Sequence, residues 1–221
     1  TIAVDVEPDG STNWSGLIDT LSHGQNKGSA HIAAFSEMRI ENGTVMVHSA
    51  SQKVDEVLND VEFSLAWPAI SKSFGATGRL VWHNQPLDVT MTLGDFQAAL
   101  AGQRSGVKLR ITGKPIKAAF EGAVSVKPTL KIEGTLAADS ASLRAAMIWA
   151  GQDPLPGGGF GRFAIKAQTT VVGGTIALSG VNVELDGNAA EGVLTFATDG
   201  RQTLQGTLAA DTLDLTPYVS T

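Results

Sequence analysis

Apolar and polar residues alternate along much of this chain with a period of two. Val61, Phe63 and Leu65 are separated by Glu62 and Ser64, and Val89, Met91 and Leu93 by Thr90 and Thr92. Val107, Leu109 and Ile111 are interleaved with Lys108, Arg110 and Thr112. Leu130, Ile132 and Leu136 are opposed by Lys131, Glu133 and Thr135, and Leu204 and Leu208 by Thr203, Gln205 and Thr207. Successive side chains of a strand point to opposite faces, so each segment predicts a strand with one apolar and one wet side. One-sided strands indicate antiparallel pairing, since buried parallel strands read as unbroken Val/Ile/Leu runs.

The punctuation agrees. Asn42-Gly43, Asp186-Gly187 and Asp199-Gly200 lie between alternating runs and predict tight hairpins. Near Gly180 the apolar parity passes from Ile176 and Leu178 to Val181, Val183 and Leu185, which predicts a bulge or short turn there. Helical spacing is scarce. Ser140 to Trp149 predicts one short helix, with Asp139 or Ser140 as its cap and Leu143, Ala146 and Met147 on one side. Trp14, Leu17, Ile18 and Leu21 predict another, which either covers a sheet end or lies on a membrane interface. Gly24–Ser29 reads as a mobile connection and Pro154–Gly161 as a second loop. The chain therefore divides into an N-terminal strand, short helix and connection (1–30), a β-repeat region ending in a short helix (31–153), and a C-terminal β repeat (154–221).

The hexapeptide G-T-L-A-A-D occurs twice, at Gly134–Asp139 and Gly206–Asp211. Glu121-Gly122 precedes the first copy and Glu191-Gly192 the second, and a fainter third copy runs from Gly78 to Asp95. Such self-similarity marks a chain built by repeating one supersecondary unit, stacked into an extended sheet or solenoid.

Composition narrows the chemistry. The 221 residues are 43% hydrophobic, enough for a substantial apolar face. A net charge of -6, with no basic cluster, argues against nucleic acid. The chain has no cysteine, and no apolar run reaches the roughly 20 residues of a membrane helix. It starts at Thr1-Ile2, which reads as mid-strand and suggests a segment of a larger protein. The tract Gly157–Gly161 lacks the strand-loop-helix context of a phosphate cradle. Asp95, Asp139 and Asp211 recur at equivalent places, each without neighbouring acids at calcium-ligand spacing. His23, His31, His48 and His83 have no partner at metal-ligand spacing, and no nucleophile-base motif occurs. The expectation is a non-enzymatic protein without cofactor or metal.

The run S-G-V-N-V-E-L-D-G-N-A-A-E-G-V-L-T-F (Ser179 to Phe196), followed by L-Q-G-T-L-A-A-D-T-L-D-L-T-P-Y-V (Leu204 to Val219), resembles the closing repeat of the AsmA family. S-L-R-A-A-M-I-W-A-G (Ser142 to Gly151) resembles the short helix ahead of that repeat. D-G-S-T-N-W-S-G-L (Asp9 to Leu17) and I-E-N-G-T-V (Ile40 to Val45) are similar to its opening segment and recurring hairpin. The resemblance implies a periplasmic protein tethered to the inner membrane by an N-terminal anchor that this chain lacks. It also implies phospholipid movement between membranes, outer-membrane biogenesis and contact with outer-membrane assembly proteins.

The fold expectation is mainly β: an extended, twisted antiparallel sheet of repeated hairpins with one or two short helices, arranged as a groove or a sandwich. Under the groove reading, the lipid-facing residues are Val61, Phe63, Leu65, Val89, Met91, Leu93, Val107, Leu109, Ile111, Leu130, Ile132, Leu136, Leu204 and Leu208. The alternative is a β-rich scaffold for protein contacts, with a closed core and no lipid.

Overall fold

A computed structural model of the chain describes residues 1–7, 12–13, 16, 35–49, 54–67, 73–153, 156–197 and 203–219. The protein is mainly β, with twelve strands and three short helices among these residues. It divides into two compact units, Thr1–Gln97 and Ala98–Thr221.

The first unit orders its strands as in the chain: β1 (Ile2–Asp5), β2 (Phe35–Ser49), β3 (Val54–Trp67), β4 (Phe74–Trp82) and β5 (Gln85–Leu93). The pairs from β2 to β5 are antiparallel, as the alternation predicts, but β1 runs parallel to β2, with Ile2 opposite Val45. Asn42-Gly43 is not a hairpin turn. It lies inside β2, where Asn42 has φ +50° and the register against β3 shifts around Gly43, so the left-handed residue makes a bulge. The hairpin between β4 and β5 turns instead at His83-Asn84, with φ +45° and +61°. Neither residue is glycine, so the sequence carried a weak signal for it.

Helix α1 (Phe96–Leu100) spans the boundary between the units along the chain, and the second unit continues with β6 (Ser105–Gly113), β7 (Lys117–Ser125) and β8 (Lys131–Ser140). Helix α2 (Leu143–Trp149) follows, then β9 (Phe163–Val172), β10 (Thr175–Leu185), β11 (Asn188–Ala197), β12 (Thr203–Ala209) and α3 (Thr216–Val219). The seven strands again lie in chain order, every neighbouring pair antiparallel. Asp186-Gly187 makes the β10–β11 hairpin with φ +52° and +84°. The bulge predicted near Gly180 is present: register against both neighbours shifts between residues 178 and 182, and Gly180 has φ +53°. Helix α2 starts later than the spacing suggests, because residues to Ser140 belong to β8. Its cap is Ser142, whose hydroxyl accepts from the Ala145 N–H at 3.2 Å.

Three expectations fall outside the described residues: the helical spacing from Trp14 to Leu21 apart from Gly16, the Gly24–Ser29 connection, and the Asp199-Gly200 turn. The loop residues Pro156 to Gly161 lie within the second unit.

Candidate functional site

Directly opposed residues of an antiparallel pair share a face, so the registers of the second unit trace one face strand by strand. Ser105, Val107, Leu109 and Ile111 of β6 oppose Val124, Gly122, Phe120 and Ala118 of β7. These in turn oppose Ile132, Gly134, Leu136 and Ala138 of β8. The face continues through Val171, Thr169, Ala167 and Ile165 of β9 to Ile176, Leu178, Val181 and Val183 of β10. It ends on Phe196, Leu194, Gly192 and Ala190 of β11 and Leu204, Gly206 and Leu208 of β12. None of these residues is charged. The other face carries Lys108, Arg110, Glu121, Lys131, Glu133, Lys166, Glu184 and Glu191. There Lys108 pairs with Glu121 at 2.7 Å and Lys131 with Glu133 at 2.6 Å. The Lys131 bond is the main cause holding the Glu133 carboxyl below its ordinary pKa.

Among the described residues, the extensive contacts between elements are all between neighbouring strands. Among these residues, neither a second sheet nor a helical layer makes extensive contact across this face. Even so, most of its side chains are half-buried rather than exposed. Part of the reason lies in the repeated glycines. A Cβ on Gly122, Gly134, Gly192 or Gly206 would point toward the apolar face and overlap a carbonyl oxygen of the neighbouring strand. Adjacent strands therefore close toward each other on that side, as glycine kinks in a sheet permit, and the apolar side chains shelter one another. The space left by a missing side chain is taken by a neighbour. The Phe120 ring lies 2.8 Å from where a Gly134 Cβ would sit, and Leu194 lies 2.5 Å from that of Gly206. Val181, beside the Gly180 bulge, is fully buried. Thr169, 6% exposed, keeps on this face a buried hydroxyl with no hydrogen-bond partner.

A shallow hollow of about 580 Å³ crosses β9 to β12, lined by Ile165, Val183 and Ala190 of this face together with Lys166, Glu184 and Glu191 of the other. One end of the unit is closed by a clamp around the glycine tract. The Arg144 guanidinium of α2 donates to the carbonyls of Gly157, Gly158 and Gly159 at 2.8 to 3.3 Å and sits 5.4 Å over the Phe160 ring. Phe160 meets Tyr218 of α3 edge to face, and the Tyr218 hydroxyl donates to Asp186 at 2.7 Å. Asp186 also accepts from the Gly161 N–H. The tract is thus a pinned turn, not a free connector. Burial, with the Asp186 bond second, raises the Tyr218 hydroxyl above its ordinary pKa.

The first unit has its own apolar face. Phe63 opposes Gly78 and Gly78 opposes Val89; Leu65 opposes Ala76 and Ala76 opposes Met91; Leu93 opposes Phe74. Val61 is 2% exposed. Here one carboxylate joins the face at its end: Glu56, opposite Val47, accepts from Trp82 Nε1 at 2.6 Å and lies 3.0 Å from His83 Nε2.

Of the sequence-predicted residues, Val61, Phe63, Leu65, Val89, Met91 and Leu93 come together on the first unit's face. Val107, Leu109, Ile111, Ile132, Leu136, Leu204 and Leu208 come together on the second's. Leu130 belongs to neither: it precedes β8 in the loop after Lys127-Pro128 and is exposed. Alternation overlooked Phe120, Val171, Leu194 and Phe196. β7 puts alanine on both faces, and Val193 sits on the wet side of β11, so parity is faint in both strands. Asp139 lies within β8 on the wet face, opposite Lys117 and Ala164. Among the described residues no three His, Asp or Glu side chains gather into a metal-ligand group, and no helix is long and apolar enough to cross a membrane. No protein-family model, no curated protein and no solved structure matches the chain.

Proposed function

We propose that this chain is a non-enzymatic, AsmA-like module that holds acyl chains on the apolar face of its second unit. One observation carries the reading: a seven-strand face without a single charge, over which no second layer packs among the described residues. Soluble proteins rarely leave contiguous apolar patches above a few hundred Å² uncovered, and those that do use them. A lipid leaving a bilayer exposes its methylenes at about 0.8 kcal/mol each, so a 16-carbon tail needs a replacement environment worth roughly 13 kcal/mol. A ten-residue strand such as β9 runs about 33 Å, longer than the roughly 15 Å of one bilayer leaflet's hydrocarbon. Aliphatic and aromatic side chains suit hydrocarbon without selecting one headgroup, and holding needs no reacting group. In this reading the chain serves phospholipid movement between inner and outer membrane from the periplasm, as part of an inner-membrane-tethered protein.

Native mass spectrometry of gently extracted protein tests it. Bound phospholipid on the folded chain is the expected result. Protein that carries none, and takes up none from phospholipid vesicles, would refute it. The scaffold alternative, with its closed core, would give that lipid-free outcome.

A further inference from the structure

Among the described residues, the outer strand of the second unit is an open pairing edge. β12 pairs with β11, and every residue from Thr203 to Ala209 is exposed, Leu204 at 69% and Leu208 at 45%. Proteins usually blunt such edges with a charge, a proline, a bulge or a covering segment. β1, the outer strand of the first unit, is blunted. The Asp5 N–H donates to Asn13 Oδ1 at 3.1 Å, Asn13 Nδ2 donates to the Ala3 carbonyl at 3.0 Å, and the Asn13 N–H donates to the Asp5 carbonyl at 3.2 Å. β12 reads T-L-Q-G-T-L-A, with no charge or proline, and its register against β11 is unbroken.

We propose that β12 pairs with β12 of a second copy of this chain, antiparallel, with Gly206 opposite Gly206 of the partner subunit. The pattern L-x-G-x-L is symmetric about Gly206, so under a two-fold axis normal to the sheet the strand is complementary to itself. Leu204 then faces Leu208 of the partner subunit, and Gln205 faces Thr207 of the partner subunit. The chain already builds this arrangement internally. In β7–β8, Gly122 faces Gly134, Phe120 faces Leu136 and Glu121 faces Thr135, with the same G-T-L sequence in β8 as in β12. A slip of one residue would carry the leucines of the partner subunit to the wet side, so the apolar face excludes it, and the L-x-G-x-L symmetry selects the Gly206 register. The axis keeps the two apolar faces on one side. The proposal stands on the edge alone, whatever that face holds.

Four variants of the full chain test it, read by sedimentation equilibrium and by thiol cross-linking. The chain has no cysteine, so Gln205→Cys/Thr207→Cys should give a covalent dimer on mild oxidation, and Thr175→Cys should not. Gln205→Glu/Thr207→Glu places like charges opposite each other only in the dimer and should weaken it about tenfold. Mixing that variant with Gln205→Lys/Thr207→Lys should restore association as a heterodimer. A wild-type chain that stays monomeric overturns the proposal, and so does a dimer indifferent to both charge variants. A monomeric wild-type chain overturns it even if a variant fails to fold.

Discussion

The two copies of G-T-L-A-A-D have the same sequence and different fates. In β8 the copy is paired on both sides: Gly134 opposes Gly122, and Leu136 sits half-buried between Phe120 and Ala167. In β12 it has β11 on one side, Gly206 opposes Leu194, and Leu208 is 45% exposed. Both copies lead into a short capped helix. Ser142 caps α2 through the Ala145 N–H, and Asp214 caps α3 by accepting from the Thr216 N–H at 2.9 Å. The Thr216 bonds, side chain before backbone, hold the Asp214 carboxyl below its ordinary pKa. Arg144 of α2 and Tyr218 of α3 then converge on the same glycine tract. The repeat therefore encodes a strand and a capped helix that pins one turn, while burial is decided by position in the sheet.

The largest contrast to break is at the glycines. A Cβ on Gly134 would meet the Gly122 Cα at 2.6 Å and the Phe120 ring at 2.8 Å, against strands held from both sides. Gly206→Val would press on Leu194 and the Val193 carbonyl, but in the monomer β12 has room to move outward. Gly134→Val should cost about 3 kcal/mol and Gly206→Val about 1 kcal/mol in urea unfolding at dilution where the chain is monomeric. Equal costs would mean that β12 is held as firmly as β8.

A smaller effect sharpens the role of α3. A tyrosine whose folded pKa is raised favours folding fully below its unfolded value of 10.0, and that contribution is lost as pH rises through the higher folded value. Tyr218 is the one tyrosine of the chain, so phenolate absorbance reports it alone. Its titration should lie above that of free tyrosine and move down in Asp186→Asn, where the neighbouring negative charge is gone. A midpoint at the free value would show that α3 does not clamp the turn.

Much of the sheet was legible because period two and parity survive any tertiary context: the strands around Leu109, Ile132 and Leu208, the Asp186-Gly187 hairpin and the Gly180 bulge follow from local pattern. Asn42-Gly43 misled because a left-handed pair serves a bulge as well as a turn, and only pairing with β3 distinguishes them. The parallel β1 was hidden for a related reason, since a four-residue strand carries no sign of its partner's direction. The candidate face was half legible. Its leucines and valines declare themselves, but the repeated glycines show their purpose only when the neighbouring carbonyls are in place. The clamp was illegible, because Arg144, Asp186 and Tyr218 are far apart in sequence.

The central claim is that the uncharged face of the second unit stays open and holds hydrocarbon. Its most direct test is titration of the delipidated chain with a fluorescent fatty acid, comparing wild type with Leu109→Glu and following unfolding of both in parallel. An open face predicts saturable uptake by wild type and a variant that folds with little loss of stability but takes up far less. A variant that unfolds, losing several kcal/mol because its charge is buried in a closed core, would contradict the account, as would equal uptake by both chains.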